Sequence, residues 1–260
     1  MPRPDAVSFL KTLKEDGIEH LYIPKKGHGP RAMDKTRATD QGPRATTELI
    51  RGTGNVARGP AEGKRGAWPV VRGSKDAILE LRDEVLKCNQ CKELVKNRTK
   101  VVFGAGNIQA KLVFVGEAPG ADEDKQGLPF VGRAGQLLTK IIEAMGLSRE
   151  QVFICNVLKC RPPNNRPPAP DEVIACRPFL KRQLELIKPR IICALGNHAC
   201  QALLGTDKGI SQLRGSFQEY EGIPVMCTYH PAYLLRSPGE KGKVWEDMKK
   251  ILQLLQQSHE

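Results

Sequence analysis

Apolar residues recur in two alternating rhythms along the last two thirds of the chain. Four short runs, at Leu112–Gly116, 152–158, 190–196 and 224–229, are apolar almost without interruption and are bounded by glycine, proline or charge, as strands buried on both faces are. Segments 133–146, 171–187, Asn197–Leu204 and 240–257 instead carry apolar residues three and four apart. In the first of these Leu137, Leu138, Ile141, Ile142 and Met145 share one helical face. Segment 75–87 reads the same way through Ile78, Leu79, Leu81, Val85 and Leu86. Strand and helix in regular alternation predict an α/β fold of three layers, a central parallel sheet of about four strands flanked by helices. Right-handed crossovers then place the loops leaving the four strands on one rim, the side on which such sheets bind ligands. Those loops hold Glu117, Asn156, the triplet Gly196-Asn197-His198, and His230.

Toward the amino terminus the rhythm fades. Residues 5–16 carry Val7, Leu10 and Leu13 at helical spacing, followed by the apolar patch Leu21, Tyr22 and Ile23, so 1–25 is expected to be a short helical segment. From 26 to 74 Gly, Arg, Pro and Thr dominate without periodicity. Ten Lys and Arg against four Asp and Glu give this stretch a charge of +6, half of the chain's +12. Such a composition is expected of a disordered basic linker, leaving 75–260 as the folded domain. The overall positive charge implies a polyanionic partner, and by itself suits nucleic acid or an anionic membrane surface equally. No apolar run approaches the roughly eighteen residues of a membrane span, and the first residues lack the basic-then-apolar order of a secretory signal, so a cytoplasmic protein is expected. Eight cysteines in such a chain argue for metal ligation over disulfides.

Three groups of residues carry chemistry. The run Leu112–Gly116 enters the turn Gly116-Glu117-Ala118-Pro119-Gly120, which exposes backbone and one carboxylate at a strand's carboxyl end; alone it is equally a glycine turn with a solvated Glu. Downstream, Phe130 lies in the polar, Gly-punctuated loop Gly127-Leu128-Pro129-Phe130-Val131-Gly132, where no periodic face explains it as core, and it suggests a platform for a planar ligand. Cys88-x2-Cys91 is joined by Cys160 and Cys176, which flank a stiff Pro-rich loop with Arg161 and Arg166. Four thiolates suit zinc or an iron-sulfur cluster, and spacing does not choose between them. Cys155, Cys193, Cys200 and Cys227 fall in or beside the strands and helices, as small buried hydrophobes do.

These motifs, with His230-Pro231-Ala232-Tyr233-Leu234-Leu235-Arg236, closely resemble those of the family 4, iron-sulfur-containing uracil-DNA glycosylases, from about Ser74 to the carboxyl terminus. The resemblance implies a monomeric, monofunctional enzyme of base-excision repair, acting at the nucleoid on uracil in single- or double-stranded DNA. It would flip uracil out, hydrolyse its N-glycosidic bond and leave an abasic site. The resemblance also selects a 4Fe-4S cluster, held by Cys88, Cys91, Cys160 and Cys176. Phe130 would stack on the flipped base, with Gly116 and Gly120 beside it. The Asn156 amide would match uracil's N3–H and O4, His230 would donate to O2, and Glu117 would position the water. Leu234, with Leu235 as alternate, would fill the gap left by the base, and Tyr233, Arg236, Arg161 and Arg166 would meet the DNA backbone. His198 is the competing histidine, better suited to cap its helix or meet phosphate.

Two departures bear on mechanism. Family 1 uracil-DNA glycosylases have Asp where this turn has Ala118, so the carboxylate is offset by one residue, and a Tyr that excludes thymine's methyl where this chain has Gly120. Glu123 is the substitute that the resemblance suggests for that exclusion. A related subgroup captures DNA covalently through an inserted histidine-bearing loop, and the segment between Cys160 and Cys176 has no histidine. A second class of function is a cluster-bearing module that holds uracil-containing or single-stranded DNA without turnover. The glycines around Gly104 and Gly106 lack the spacing of phosphate-binding loops. Nothing singles out a sliding clamp or another repair protein as partner. If residues 1–74 act as an electrostatic arm, deleting them makes the salt dependence of DNA binding shallower; an unchanged slope in a salt titration refutes the arm.

Overall fold

The computed structural model describes residues 75–257; the expected helix within 1–25 and the expected linker 26–74 lie outside them. In chain order the elements are α1 (Lys75–Leu86), α2 (Lys92–Asn97), β1 (Ala105–Gly106), β2 (Leu112–Gly116), α3 (Ala121–Gln126), α4 (Arg133–Ala144) and β3 (Phe153–Asn156). They continue with α5 (Pro170–Ile187), β4 (Ile191–Leu195), α6 (Asn197–Leu204), α7 (Ile210–Leu213), β5 (Phe217–Tyr220), β6 (Ile223–Thr228), α8 (Pro231–Arg236) and α9 (Lys241–Gln256).

The strands form one six-stranded sheet in the order β1-β3-β2-β4-β6-β5. The four expected strands are its centre, parallel to one another, and β1 and β5 add antiparallel edges that the sequence reading did not anticipate. Both edges escape periodicity for physical reasons. β1 is two residues of Ala and Gly. β5 is mostly solvated, and its pairing with β6 follows from a tight turn at Glu221 and Gly222, both at left-handed φ (48° and 81°), the geometry of a two-residue hairpin.

Every residue of β2, β3 and β4 is buried, which explains their continuous apolar runs. Their side chains alternate between two cores. Val113, Val115, Phe153, Cys155, Ile192 and Ala194 join one core with α1, α5 and α6. Leu112, Phe114, Ile154, Ile191, Cys193 and Leu195 join the other with α4, α8 and α9. The result is the expected three-layer arrangement.

Register sets the site. Gly116 pairs with Asn156, and Leu195 with Thr228, so neighbouring parallel strands end level with each other. The loops that begin at Glu117, Val157, Gly196 and Tyr229 therefore leave the sheet along one rim. The first two stay joined beyond the strands, because the N–H groups of Val157 and Leu158 donate to the carbonyls of Gly116 (2.9 Å) and Glu117 (3.0 Å).

Candidate active site

At the end of β2, glycine is required by what sits above it. A Cβ on Gly116 would lie 2.4 Å from Asn156 Oδ1 and 2.6 Å from Phe130 Cζ, so only a bare backbone lets these two side chains meet over the strand. Phe130 itself adopts a left-handed φ of 53°, rare for an aromatic residue and a sign that its surroundings over-determine it. The loop carrying it presses onto the first turn of α4, where a Cβ on Gly135 would stand 2.0 Å from the carbonyl of Phe130.

From the fourth parallel strand comes His230, the N-cap of α8. Its ring centroid is 5.5 Å from that of Phe130, with the planes inclined by 33°. Its Nδ1 accepts from the N–H of Ala232 at 3.1 Å, which leaves the proton of the neutral ring on Nε2. Burial, aided by the nearby Arg236 and opposed by Glu123, lowers its pKa to about 4, so the ring is neutral at ordinary pH. Gly196 makes room for it: at φ +88°, a Cβ there would touch His230 Cβ at 2.9 Å.

Asn156 is 1% exposed, and its Oδ1 is buried without a hydrogen-bond partner. An orphaned acceptor in a native interior calls for an explanation, and a ligand N–H supplies one. The rest of the residue is well held. Its carbonyl accepts from Lys159 Nζ (2.7 Å), which also donates to Gln183 Oε1 (2.5 Å), while Gln183 Nε2 donates to the carbonyl of Phe103 (2.9 Å). This buried relay was missed in the sequence; its only trace is a lysine inside the apolar run before Cys160.

Glu117 is half-buried, and burial raises its carboxyl above the ordinary carboxylate range, opposed by the positive influence of His198. His198 is exposed and does not cap α6: Gly196 is the N-cap residue, and the Asn197 side chain instead accepts from the N–H of Ile210 at 3.0 Å. Glu123 turns one oxygen to the platform loop, accepting from the N–H groups of Val131 (2.8 Å) and Gly132 (2.9 Å). Its other oxygen stands 2.7 Å from where a Cβ of Gly120 would be. The carboxylate thus occupies space that a side chain at 120 would fill. Glu117, Gly120, Glu123, Phe130, Asn156, His230 and Arg236 all line one cavity of about 470 Å³.

Two of the residues expected to contact DNA are engaged within the protein. Leu234 is 1% exposed and belongs to the α4, α8 and α9 core, because the short helix α8 turns that residue inward; a wedge at that position would have to leave the core. The next residue, Leu235, is 41% exposed, as is Tyr233 at 38%. Arg166, although at the cavity's edge, is spent on ion pairs. It grips Glu172 through both terminal nitrogens (2.6 and 2.9 Å) and reaches Glu93 at 2.9 Å, and these carboxylates hold its pKa further above its ordinary value. Glu172 in turn accepts from the N–H of Ala169 (2.8 Å) at the start of α5, so Arg166 ties the Pro-rich loop down. Arg161 donates its Nε to Asn165 Oδ1 (2.8 Å) inside the same loop, and Arg236 is exposed at the rim.

Cys88, Cys91, Cys160 and Cys176, separated by as many as 88 positions, line a single void with Val85, Val95 and Phe179. Among the described residues no three Cys, His, Asp or Glu side chains are grouped as ligands of one metal ion. Burial and then the neighbouring thiols push Cys91 up to about 11. Arg98, which sequence reasoning missed, donates to Cys160 Sγ (3.0 Å) and to the carbonyl of Cys88 (2.8 Å). The other four cysteines are buried in the two cores, as expected.

Comparison with known proteins agrees with this geometry. The sequence profile described as the Uracil DNA glycosylase superfamily matches residues 103–251. The chain is 47% identical to the Type-4 uracil-DNA glycosylase of Sulfurisphaera tokodaii over 189 residues, 69% of this chain and 85% of that protein. It is 47% identical over 182 residues to the Type-4 uracil-DNA glycosylase of Thermotoga maritima, covering 68% of this chain and 94% of that one. A Type-5 uracil-DNA glycosylase of Pyrobaculum aerophilum is 30% identical over 187 residues, 58% of this chain and 81% of that protein.

The two leucines of α8 separate cleanly in unfolding experiments. Leu234→Ala, which empties a core position, is expected to cost about 2–5 kcal/mol. Leu235→Ala is expected to stay within about 0.5 kcal/mol of the parent in urea titrations. Equal costs at both positions would contradict the burial pattern.

Proposed function

This chain belongs to the uracil DNA glycosylase superfamily, within its type-4 branch, and from that premise we propose that it hydrolyses the bond between uracil and deoxyribose in DNA. The product is an abasic site, the first intermediate of base-excision repair. The observation that carries this reading is the orphaned Oδ1 of Asn156, in one cavity with an aromatic ring and a neutral imidazole whose N–H is free to point at substrate.

Extruding the base costs roughly a few kcal/mol of stacking and pairing. Stacking on Phe130 returns about 1–3 kcal/mol of it. Asn156 then accepts the N3–H of uracil through Oδ1 and offers an amide N–H to O4. Cytosine presents a donor where O4 stands and lacks the N3–H, and the unpaired groups cost about 1–3 kcal/mol each. Glu123, in the space beside Gly120, is placed to crowd the methyl of thymine.

Bond cleavage leaves negative charge on uracil and positive charge on the sugar. The Nε2–H of His230 donates to O2 as that charge grows, and removal of such a donor generally costs about 100- to 1000-fold in rate. The backbone contact from Ala232 to Nδ1 fixes the donor tautomer, so the ring acts without changing protonation. Glu117 orients the attacking water and draws off its proton. Leu235, exposed on α8, is the wedge, and Arg236 beside it meets phosphate.

The four clustered cysteines are the ligand set we assign to a 4Fe-4S cluster. Four cysteine side chains lining one void supply the number of ligands that such a cluster takes. Such a cluster would join α1, α2, the Pro-rich loop and α5, and the Arg98 guanidinium, which donates to Cys160 Sγ, would offset the charge of its thiolates. Residues 75–260 form the glycosylase domain in this reading, with 1–74 an appended basic arm.

Incubation with a uracil-containing oligonucleotide followed by alkali tests the proposal. Strand breakage at uracil with release of free base is expected, whereas binding without breakage would make the protein a DNA-holding module. In single-turnover assays Glu117→Gln is expected to slow cleavage by up to about 100- to 10,000-fold without abolishing it. The parent rate should rise with pH through a carboxyl pKa above the ordinary range, because Glu117 acts deprotonated and burial raises it, while His230 stays neutral down to about pH 4. Loss of that acidic limb in Glu117→Gln is the matching result; a limb that persists assigns it to another group. Elemental analysis should find iron and acid-labile sulfide, reduced in Cys160→Ala, and zinc in their place would overturn the cluster assignment.

A further inference from the structure

The loop that presents Phe130 is gripped from both ends by a pair of opposite charges. Arg149, in the turn between α4 and β3, donates from one terminal nitrogen to the carbonyl of Phe130 (3.0 Å) and from the other to the carbonyl of Pro129 (2.8 Å). Glu123, on α3, accepts from the next two N–H groups, those of Val131 and Gly132. Four polar groups on three consecutive peptides are thus held by one guanidinium and one carboxylate from elements on either side.

The grip reaches further into the structure. The nitrogen of Arg149 that meets Phe130 also donates to Thr139 Oγ1 (3.1 Å), whose hydroxyl donates to the carbonyl of Gly135 (3.1 Å). Gly135 is the residue on which the Phe130 backbone rests. The turn bearing Arg149 is itself fixed, with the Ser148 N–H donating to Gln151 Oε1 at 2.8 Å. At the centre of this arrangement Phe130 holds a φ of 53°, a conformation that costs of order 1–3 kcal/mol and persists only where neighbours enforce it.

We propose that Arg149 is a positioning residue for base recognition: with Glu123 it locks residues 129–132 so that the Phe130 ring is already in place beside Asn156 and His230 before a base arrives. Arg149 does not line the cavity, so it acts through Phe130 and touches no substrate. A planar, forked donor is needed because two adjacent carbonyls must be met at once, which a lysine ammonium does less well. The inference rests on the reading of the cavity as a uracil site, and it gives Glu123 a second task beside the crowding of thymine. Pre-setting the ring removes the ordering cost that a mobile loop would charge to each binding event.

A double-mutant cycle tests it with the full-length protein. Single-turnover cleavage of a uracil-containing strand is measured for the parent, Arg149→Met, Phe130→Ala and the double variant, with thermal unfolding recorded for each. If Arg149 works through the ring, Arg149→Met slows the parent by about 5- to 150-fold, the value of the stacking that it secures. In the Phe130→Ala background the same substitution changes the rate less than about twofold, because nothing remains to position. Arg149→Lys should fall between, and it serves for the cycle if the Met variant does not fold. Equal losses in both backgrounds, or no loss in the parent, would overturn the proposal while leaving the cavity reading intact. A Phe130→Ala variant as fast as the parent would instead strike the platform itself, and this inference with it.

Discussion

Close approach at the end of the central strand is the constraint on which the pocket depends. Gly116 lies where the side chains of Asn156 and Phe130 converge, and a single methyl group there would overlap both. Because β2 and β3 are in register at this residue, the amide from one strand and the ring from the intervening loop arrive at the same height. Gly196 repeats the arrangement on the other side of the rim, where the bare backbone admits His230. Two glycines at two strand ends thus bring an amide, a ring and an imidazole into contact, each contributed by a different segment.

Around that contact the protein uses paired charges to hold loops. Glu123 and Arg149 fix the platform loop. Arg166 with Glu172 and Glu93 fixes the Pro-rich loop against α5 and α2. Lys159 joins the end of β3 to α5 through Gln183. These are charge-assisted bonds to backbone or to planar partners, the kind that impose geometry as well as strength. The price of such order is conformational entropy, and spending it at folding spares it at each encounter with substrate.

Burial acts on Glu117 and His230 in complementary ways. Removing water raises Glu117 and lowers His230, favouring the neutral form of each. A carboxylate that is harder to ionise is a better base for its proton, and an imidazole that stays neutral keeps a fixed donor without bringing a full charge into the cavity. In the same dry surroundings a hydrogen bond to a developing anion is stronger than it would be in water. The cysteine void shows the same effect, since burial and the neighbouring thiols raise Cys91 and favour its neutral form.

The sequence by itself determined the parallel centre of the sheet, its major helices and the loops that carry Glu117, Phe130, Asn156 and His230. Continuous apolar runs and period-3.6 patterns report burial directly, and parallel topology fixes which ends of strands share a rim. It did not reveal β1 or β5, whose brevity or exposure leaves no apolar rhythm. It named Leu234 as wedge with Leu235 as alternate and left their burial open, because a six-residue helix gives too little periodicity to tell its inner face from its outer one. It did not show the ion pair of Arg166 with Glu93, since nothing local announces a partner so distant in the chain. Arg98, Arg149 and Lys159 were likewise unreadable. A charged side chain takes its role from the groups it meets after folding, and which groups those are is decided by distances that only the packed tertiary structure defines.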